Sequence, residues 1–455
     1  MGFVLSALYF ITYYLTPTTI FGPLAVYRVE LILAVLVFFV SLPALVGSFI
    51  GKTPQTLALI GLAFATFMSV VIGGHWIGGG LSAFLLFIPN AFAYFLVCLH
   101  CNSKKKLQVL VLMMLFVCLF VIAQGSIELQ HGLPTSIDAQ AANTDSSYFI
   151  GMNNDAGQWF YRLRGMGEIN DPNDFAQLIA CVLPLVFIFW RPKKMLQNIA
   201  FVILPVCALL YGAYLTHSRG GMLALLAIVV VAARRRIGTL PALLLVGGLF
   251  VASMALHVTG GRDISADAGE DRTDLWGQSM QLLKSHPLFG VGFGNLADYL
   301  GHTAHNTILV CAAELGLFGL YFWSLFLFPT LRDALAITSP KKVNEGEPVI
   351  PEEAPFPQVS LKIEALDKAE INRLGRLMVL SFTGFLVAGW FLSRAFVMTL
   401  FLLGGMTEVI FEMALQRGMI SSRLPFARVL RYSGALAILL LLVMYITLRI
   451  VNLAN

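Results

Sequence analysis

Thirteen nearly unbroken apolar runs dominate this chain, at roughly 3–16, 29–50, 55–73, 81–99, 107–124, 174–190, 196–215, 220–233, 240–257, 305–330, 376–393, 395–415 and 430–449. Most approach the ~20 residues a helix needs to cross the hydrocarbon layer of a bilayer. In that layer the backbone must satisfy its own N–H and C=O groups, which a single unbroken run does as a helix. Charged residues make up 12% of the chain, about half of the ~25% usual for soluble domains. A soluble enzyme, a disordered chain and a nucleic-acid binder are thereby excluded. The expected fold is an all-α polytopic membrane protein with about 12–13 transmembrane helices. The first run is short, and whether it crosses is left open.

Basic residues mark every second connection. Lys104–Lys106, Arg191/Lys193/Lys194, Arg234–Arg236, Lys341/Lys342/Lys362/Arg373/Arg376 and Arg417/Arg423/Arg428/Arg431 fall in register. Positively charged loops stay on the cytoplasmic side, so these five are inside. Two long polar loops, 125–173 and 258–304, then face outward, as do the turns at 216–219 and Ser393-Arg394. With thirteen crossings the N-terminus is inside and the C-terminus outside. The N-terminus carries no Lys or Arg before its first run, which argues against a cleaved signal peptide. The segments expected are N-terminal membrane helices over 1–124, a loop at 125–173, central helices over 174–257, a large loop at 258–304, a helix at 305–330, a linker at 331–375 and C-terminal helices over 376–455. The linker holds Pro340, Pro348, Pro351, Pro355 and Pro357 among Glu and Lys, and reads as flexible. All cysteines but Cys101 lie in apolar runs, so no disulfide framework is implied.

Three polar constellations stand at the outward ends of spans. The first is Thr216-His217-Ser218-Arg219-Gly220-Gly221. Arg219 has no adjacent acid; the alternative reading is an interfacial anchor whose stem snorkels. The second is Asp271-Arg272-Thr273-Asp274-Leu275-Trp276. Trp276, Met280 and Leu283 recur with helical spacing, and Arg272 lies one turn earlier on the same stripe. A guanidinium there suits phosphate oxygens; the alternative is a local pair with Asp271 or Asp274. The third is Gly301-His302-Thr303-Ala304-His305-Asn306. A histidine can act as a base near neutral pH, or simply bind interfacial water. A zinc site lacks a third ligand, so no metal and no cofactor is expected. Arg162, Arg164 and Arg394 are further cations on the outward side. Asn170-Asp171-Pro172-Asn173-Asp174 suits the capped start of a span; the alternative is contact with an acceptor sugar. Glu314 and Glu408 fall inside spans; Glu314 is too deep to share a substrate atom with His305 and is expected to have a structural partner.

His305-Asn306, nine residues, Gly316, two residues and Gly319 resemble the H-[NSQ]-x9-G-x-x-G pattern of bacterial O-antigen ligases and related polysaccharide polymerases. Asp271-Arg272, Trp276 and His286-Pro287-Leu288-Phe289-Gly290-Val291-Gly292-Phe293-Gly294-Asn295 look like that superfamily's large outer loop, and Ser218-Arg219-Gly220-Gly221 like its Ser-Arg-Gly signature. The resemblance covers roughly 170–330. It implies a C-type membrane architecture and an inverting, metal-independent glycosyltransferase in the bacterial inner membrane. Such an enzyme takes a glycan from undecaprenyl diphosphate on the periplasmic side and passes it to a glycan, lipid A-core or protein acceptor. Arg219 and Arg272 would bind the diphosphate and His305 would be the base. His302, Asn306, Arg394, Arg162 and Arg164 are the remaining candidates for substrate contact.

A transporter or flippase of the same lipid-linked glycan is the alternative. It would line a path through the membrane with polar groups, whereas the sequence concentrates them in outer loops. A non-catalytic envelope scaffold would leave the Arg219, Arg272 and His305 set without a task. The orientation is directly testable. A single cysteine introduced at 145 or 265 should react with an impermeant maleimide in intact cells, and one at 345 only after lysis; labelling of 345 in intact cells would overturn the assignment.

Overall fold

The computed structural model of the chain describes residues 1–20, 29–46, 48–132, 147–153, 159–255, 267–338, 364 and 366–454. Each apolar run contains a helix. Among the described residues, nine helices are long and apolar enough to cross a membrane: Pro54–Gly73, Ile77–His100, Lys104–His131, Pro172–Phe189, Met195–Leu215, Thr307–Thr338, Lys368–Gly389, Met398–Gln416 and Phe426–Val451. Gly2–Leu15, Val29–Leu45 and Thr239–Ser253 are shorter apolar helices. Arg219–Ile237, which ends on Arg234, Arg235 and Arg236, is the thirteenth. This is an all-α polytopic membrane protein.

Helix ends depart from the sequence expectation where polar residues extend an apolar core. The helix expected to stop at 124 runs on to His131, and the one expected to stop at 330 runs to Thr338. The helix expected from 376 begins at Lys368. The linker is correspondingly shorter than 331–375, and its residues 339–363 lie outside the described residues. Within loop 125–173 there is a hairpin of β1 (Phe149–Asn153) and β2 (Trp159–Leu163), paired antiparallel from Phe149–Leu163 to Asn153–Trp159. A strict all-helix reading omits it.

The chain forms two compact units. The first comprises Met1–Ser41, Lys104–Ile264 and Leu377–Ala388. Its core is formed by Lys104–His131, Pro172–Leu185 and Leu204–Leu215, with Arg219–Ile237 against Pro172–Leu185. Buried polar groups act as cross-links where no water competes: Ser381 Oγ donates to Cys181 O at 2.8 Å, and Gln177 Nε2 to Phe385 O at 3.1 Å. Glu128, at the end of Lys104–His131, holds the hairpin base by accepting from the N–H of Tyr148 at 2.8 Å and from the Ser147 hydroxyl.

The second unit comprises Leu42–Ser103, Ser265–Arg376 and Gly389–Asn455. At its centre the helix Thr307–Thr338, hereafter the histidine helix, packs against Pro54–Gly73, Met398–Gln416 and Phe426–Ala454. Trp323 Nε1 donates to Ala395 O at 3.0 Å. At the end of this helix remote from His305 lies an ionic cluster. Glu408, 1% exposed, contacts Arg423 Nη2, and Glu412 Oε2 lies 2.8 Å from the same nitrogen. Arg423 also stacks on Phe411, 5.2 Å from the ring centroid. Burial works against the Arg423 charge, but Glu408 and Glu412 more than offset it, so the guanidinium is held above its ordinary value.

Removing one member of a buried pair strands the other charge, at a cost of about 3–5 kcal/mol. Arg423→Ala should therefore markedly lower the thermal midpoint of the detergent-solubilised protein. Arg423→Leu combined with Glu408→Leu should recover most of the loss, because an apolar pair has no charge to desolvate. Unchanged stability of Arg423→Ala would show that the cluster contributes little.

Candidate active site

In the second unit the sequence turns sharply before the histidine helix begins. Asn306, fully buried, is its cap: Oδ1 accepts from the N–H of Ile308 at 3.0 Å and of Leu309 at 3.1 Å. Its Nδ2 donates to Trp390 O at 3.0 Å. Both ends of the Asn306 amide are thus engaged inside the fold, where they scaffold the start of the helix. Thr307 Oγ1 donates to Leu392 O at 2.8 Å and accepts from Arg394 N at 3.4 Å. His305 N donates to Ser393 Oγ at 2.9 Å. The turn 389–395 is thereby tied to 305–307, and Arg394 and His305 are brought into one neighbourhood. Both side chains are half-buried, and His302 is exposed. His305 adopts a left-handed backbone (φ 47), a conformation in which His, Asn and Asp are enriched among non-glycine residues.

Arg272 reaches the same neighbourhood through the helix Asp267–Ser285. The apolar stripe read from the sequence is the packed one: Trp276 and Leu283 are each 7% exposed. Trp276 Nε1 donates to Ala304 O, the residue before His305, at 2.8 Å. Its ring meets Trp390 edge-on, with centroids 6.2 Å apart. Arg272 lies one turn before Trp276, about 6 Å along the axis, and is half-buried. Asp271 lies among residues whose side chains are not described; Asp274 is exposed.

The glycines of the motif have a steric cause. The histidine helix breaks at Gly316 (φ 68, ψ −169), a region essentially restricted to glycine. The segment 287–292 crosses the break backbone to backbone. Leu317 N donates to Pro287 O at 2.8 Å and Phe318 N to Leu288 O at 3.2 Å; Val291 N donates to Ala313 O at 2.9 Å and Gly292 N to Glu314 O at 3.0 Å. A Cβ on Gly316 would lie 2.3 Å from Leu288 O, and one on Gly290 2.4 Å from Ala313 O. The Glu314 carboxylate faces the backbone of Gly294 and Leu296 in the outer loop. It anchors the outer loop, consistent with the structural partner expected for it.

In the first unit Arg219 is the first residue of the helix Arg219–Ile237 and is half-buried. Ser218 caps that helix, Oγ accepting from Gly221 N at 3.1 Å. Asp171 caps Pro172–Leu185, accepting from Asn173 N at 2.7 Å, as its residue type suggests. Arg162 and Arg164 are 4% and 8% exposed. Arg162 Nε donates to Thr216 O at 2.8 Å and Nη2 to Asn173 Oδ1 at 2.8 Å; Arg164 Nε donates to Ser147 O at 3.2 Å. These two arginines, expected at the substrate, are built into the hairpin and its supports. Trp276 belongs to the second constellation read from the sequence; Trp390 and the Ser393 hydroxyl, which meet it and the backbone of His305, carry no sequence signal of a place at the site.

Residues 204–324 match the O-Antigen ligase family model. Over that segment the chain is similar to the O-antigen ligase and polysaccharide polymerase superfamily, and its helices make it a multi-pass membrane protein. The matched segment contains Arg219, Arg272, His305, Gly316 and Gly319; it excludes Arg162, Asn173 and Arg394. No curated protein matches the chain.

Gly316→Ala should destabilise the protein through left-handed strain of about 1–3 kcal/mol and through the clash with Leu288 O. The expected readout is a lower thermal midpoint in detergent together with faster proteolysis of 287–300. Wild-type values for both would show that the crossing tolerates a side chain.

Proposed function

We propose that the protein transfers a glycan from undecaprenyl diphosphate to an acceptor hydroxyl at the periplasmic face of the inner membrane, with inversion and without a metal. What carries this reading is the bond from Trp276 to Ala304. It joins the helix bearing Arg272 to the turn bearing His305, so that a phosphate-type cation and a base share one neighbourhood. Arg219, which lies in the same matched segment, is the second guanidinium assigned to the diphosphate.

In the reaction His305 takes the proton of the acceptor hydroxyl. The oxygen attacks the anomeric carbon from the face opposite the leaving group, and a new C–O bond forms as the bond to the diphosphate oxygen breaks. The electron pair leaves with the lipid diphosphate, which gains about one negative charge. Arg219 and Arg272 neutralise that charge as it develops. Arg394 and His302 border the acceptor side, and Asn306 keeps His305 in place by capping the helix behind it. Acceptor identity separates a ligase, which moves finished chains to lipid A-core or protein, from a polymerase, which adds a growing chain to a new lipid-linked repeat. In a deletion strain, single repeats retained without polymer would indicate a polymerase; full-length chains accumulating on the lipid carrier would indicate a ligase.

The test is transfer from purified lipid-linked glycan by solubilised variants at matched expression. Arg219→Ala and Arg272→Ala should each lower turnover by about a hundredfold or more, since a charge-stabilising donor contributes on that scale. Lysine should rescue poorly because it cannot make the bidentate contact. His305→Ala should abolish transfer while leaving donor binding intact, and EDTA should have no effect. Near-normal turnover by His305→Ala, or loss with EDTA that zinc restores, would refute the mechanism.

A further inference from the structure

Three distant segments of the first unit meet at the short turn that precedes Arg219. The turn joins the helices Leu204–Leu215 and Arg219–Ile237, and His217 within it is left-handed (φ 46). A non-glycine residue in that conformation persists only where its surroundings hold it. Here they are buried and specific. Thr216 is fully buried, Ser218 is 5% exposed and Arg162 4%. From β2, Arg162 Nε donates to the Thr216 carbonyl at 2.8 Å, at the end of the first helix. Asn173, on the helix Pro172–Leu185, accepts through one oxygen from two donors: Arg162 Nη2 at 2.8 Å and Ser218 Oγ at 2.8 Å. Ser218 Oγ in turn accepts from Gly221 N at 3.1 Å. The C-terminus of one helix and the N-cap of the next are thus fastened to each other through a guanidinium and an amide. The rings of Phe160 and Tyr214 flank His217, with centroids 5.7 and 5.4 Å away.

We propose that Arg162 and Asn173 are positioning residues for Arg219: they fix the Thr216–Gly221 turn so that the Arg219 guanidinium is held ready for the diphosphate. The proposal rests on the reading of Arg219 as a diphosphate ligand, and it gives Arg162 a different task from direct phosphate contact. Two features support it. The fork of Arg162 is spent on Thr216 O and Asn173 Oδ1, and the residue is buried. Asn173 serves only as an acceptor in the two bonds that matter here, so an aspartate of the same shape can take its place.

The experiment pairs kinetics with hydrogen exchange on the full-length solubilised protein. Asn173→Leu and Arg162→Gln should each lower kcat with the lipid-linked donor about tenfold or more and leave the acceptor KM unchanged. Asn173→Asp should retain wild-type kcat. In an Arg219→Ala background, Asn173→Leu should add little further loss, because residues that act through one another are non-additive. Amide exchange over 214–223 should accelerate in Asn173→Leu and stay at the wild-type rate in Asn173→Asp. Fully multiplicative losses in the double variant, or unchanged exchange in Asn173→Leu, would overturn the proposal. Wild-type turnover by Arg219→Ala would instead remove Arg219 from the diphosphate, and the positioning claim would be decided by the exchange measurement alone.

Discussion

A helix interrupted inside an apolar interior must find partners for the peptide groups it frees, because hydrocarbon offers none. That requirement organises the second unit. At Gly316 the histidine helix breaks, and the segment 287–292 supplies acceptors to Leu317 and Phe318 and sends donors to Ala313 and Glu314. The outer loop is therefore part of the core. Moving it would strand four peptide groups at once, and the penalty for each buried unpaired group exceeds the net value of an ordinary hydrogen bond. Glu314 extends the same arrangement by facing the backbone of Gly294 and Leu296. Position and rigidity at the His305 end of the helix follow from this crossing and from the Asn306 cap.

Much of the fold was legible because a bilayer imposes a coarse, strong signal. Each apolar run became a helix, and the stripe of Trp276 and Leu283 predicted the packed face of an amphipathic helix in a loop. The helix ends were harder. Glu128, Gln130 and His131, or Asp333 at the foot of the histidine helix, are not apolar enough to extend a hydropathy plateau, yet nothing prevents them from continuing a helix whose backbone bonds are already propagating. The hairpin escaped notice because its ten paired residues include Arg162 and Gly151, and its stability comes from anchoring to Glu128 rather than from its own pattern.

At the candidate site the sequence identified chemistry better than task. Arg272 and His305 came to light through residue type and spacing, and the Trp276–Ala304 bond brings their elements together. Arg162 is of the same type as Arg272, and Asn306 adjoins His305, yet they are 4% and 0% exposed. Nothing in a linear sequence distinguishes a guanidinium that meets a phosphate from one that meets a carbonyl. That distinction depends on which helix end lies across from it.

Arg219 occupies the first position of its helix, and His305 lies just ahead of another. The start of a helix carries the positive pole of its peptide dipoles, equivalent to roughly half a unit charge. A cation placed there is opposed by its own helix, so the helix end that bears Arg219 itself favours an approaching anion. The preference for negative charge is thus written partly in peptide groups that neither titrate nor mutate. It persists across the pH range in which histidine changes state, and it remains when a side chain is removed.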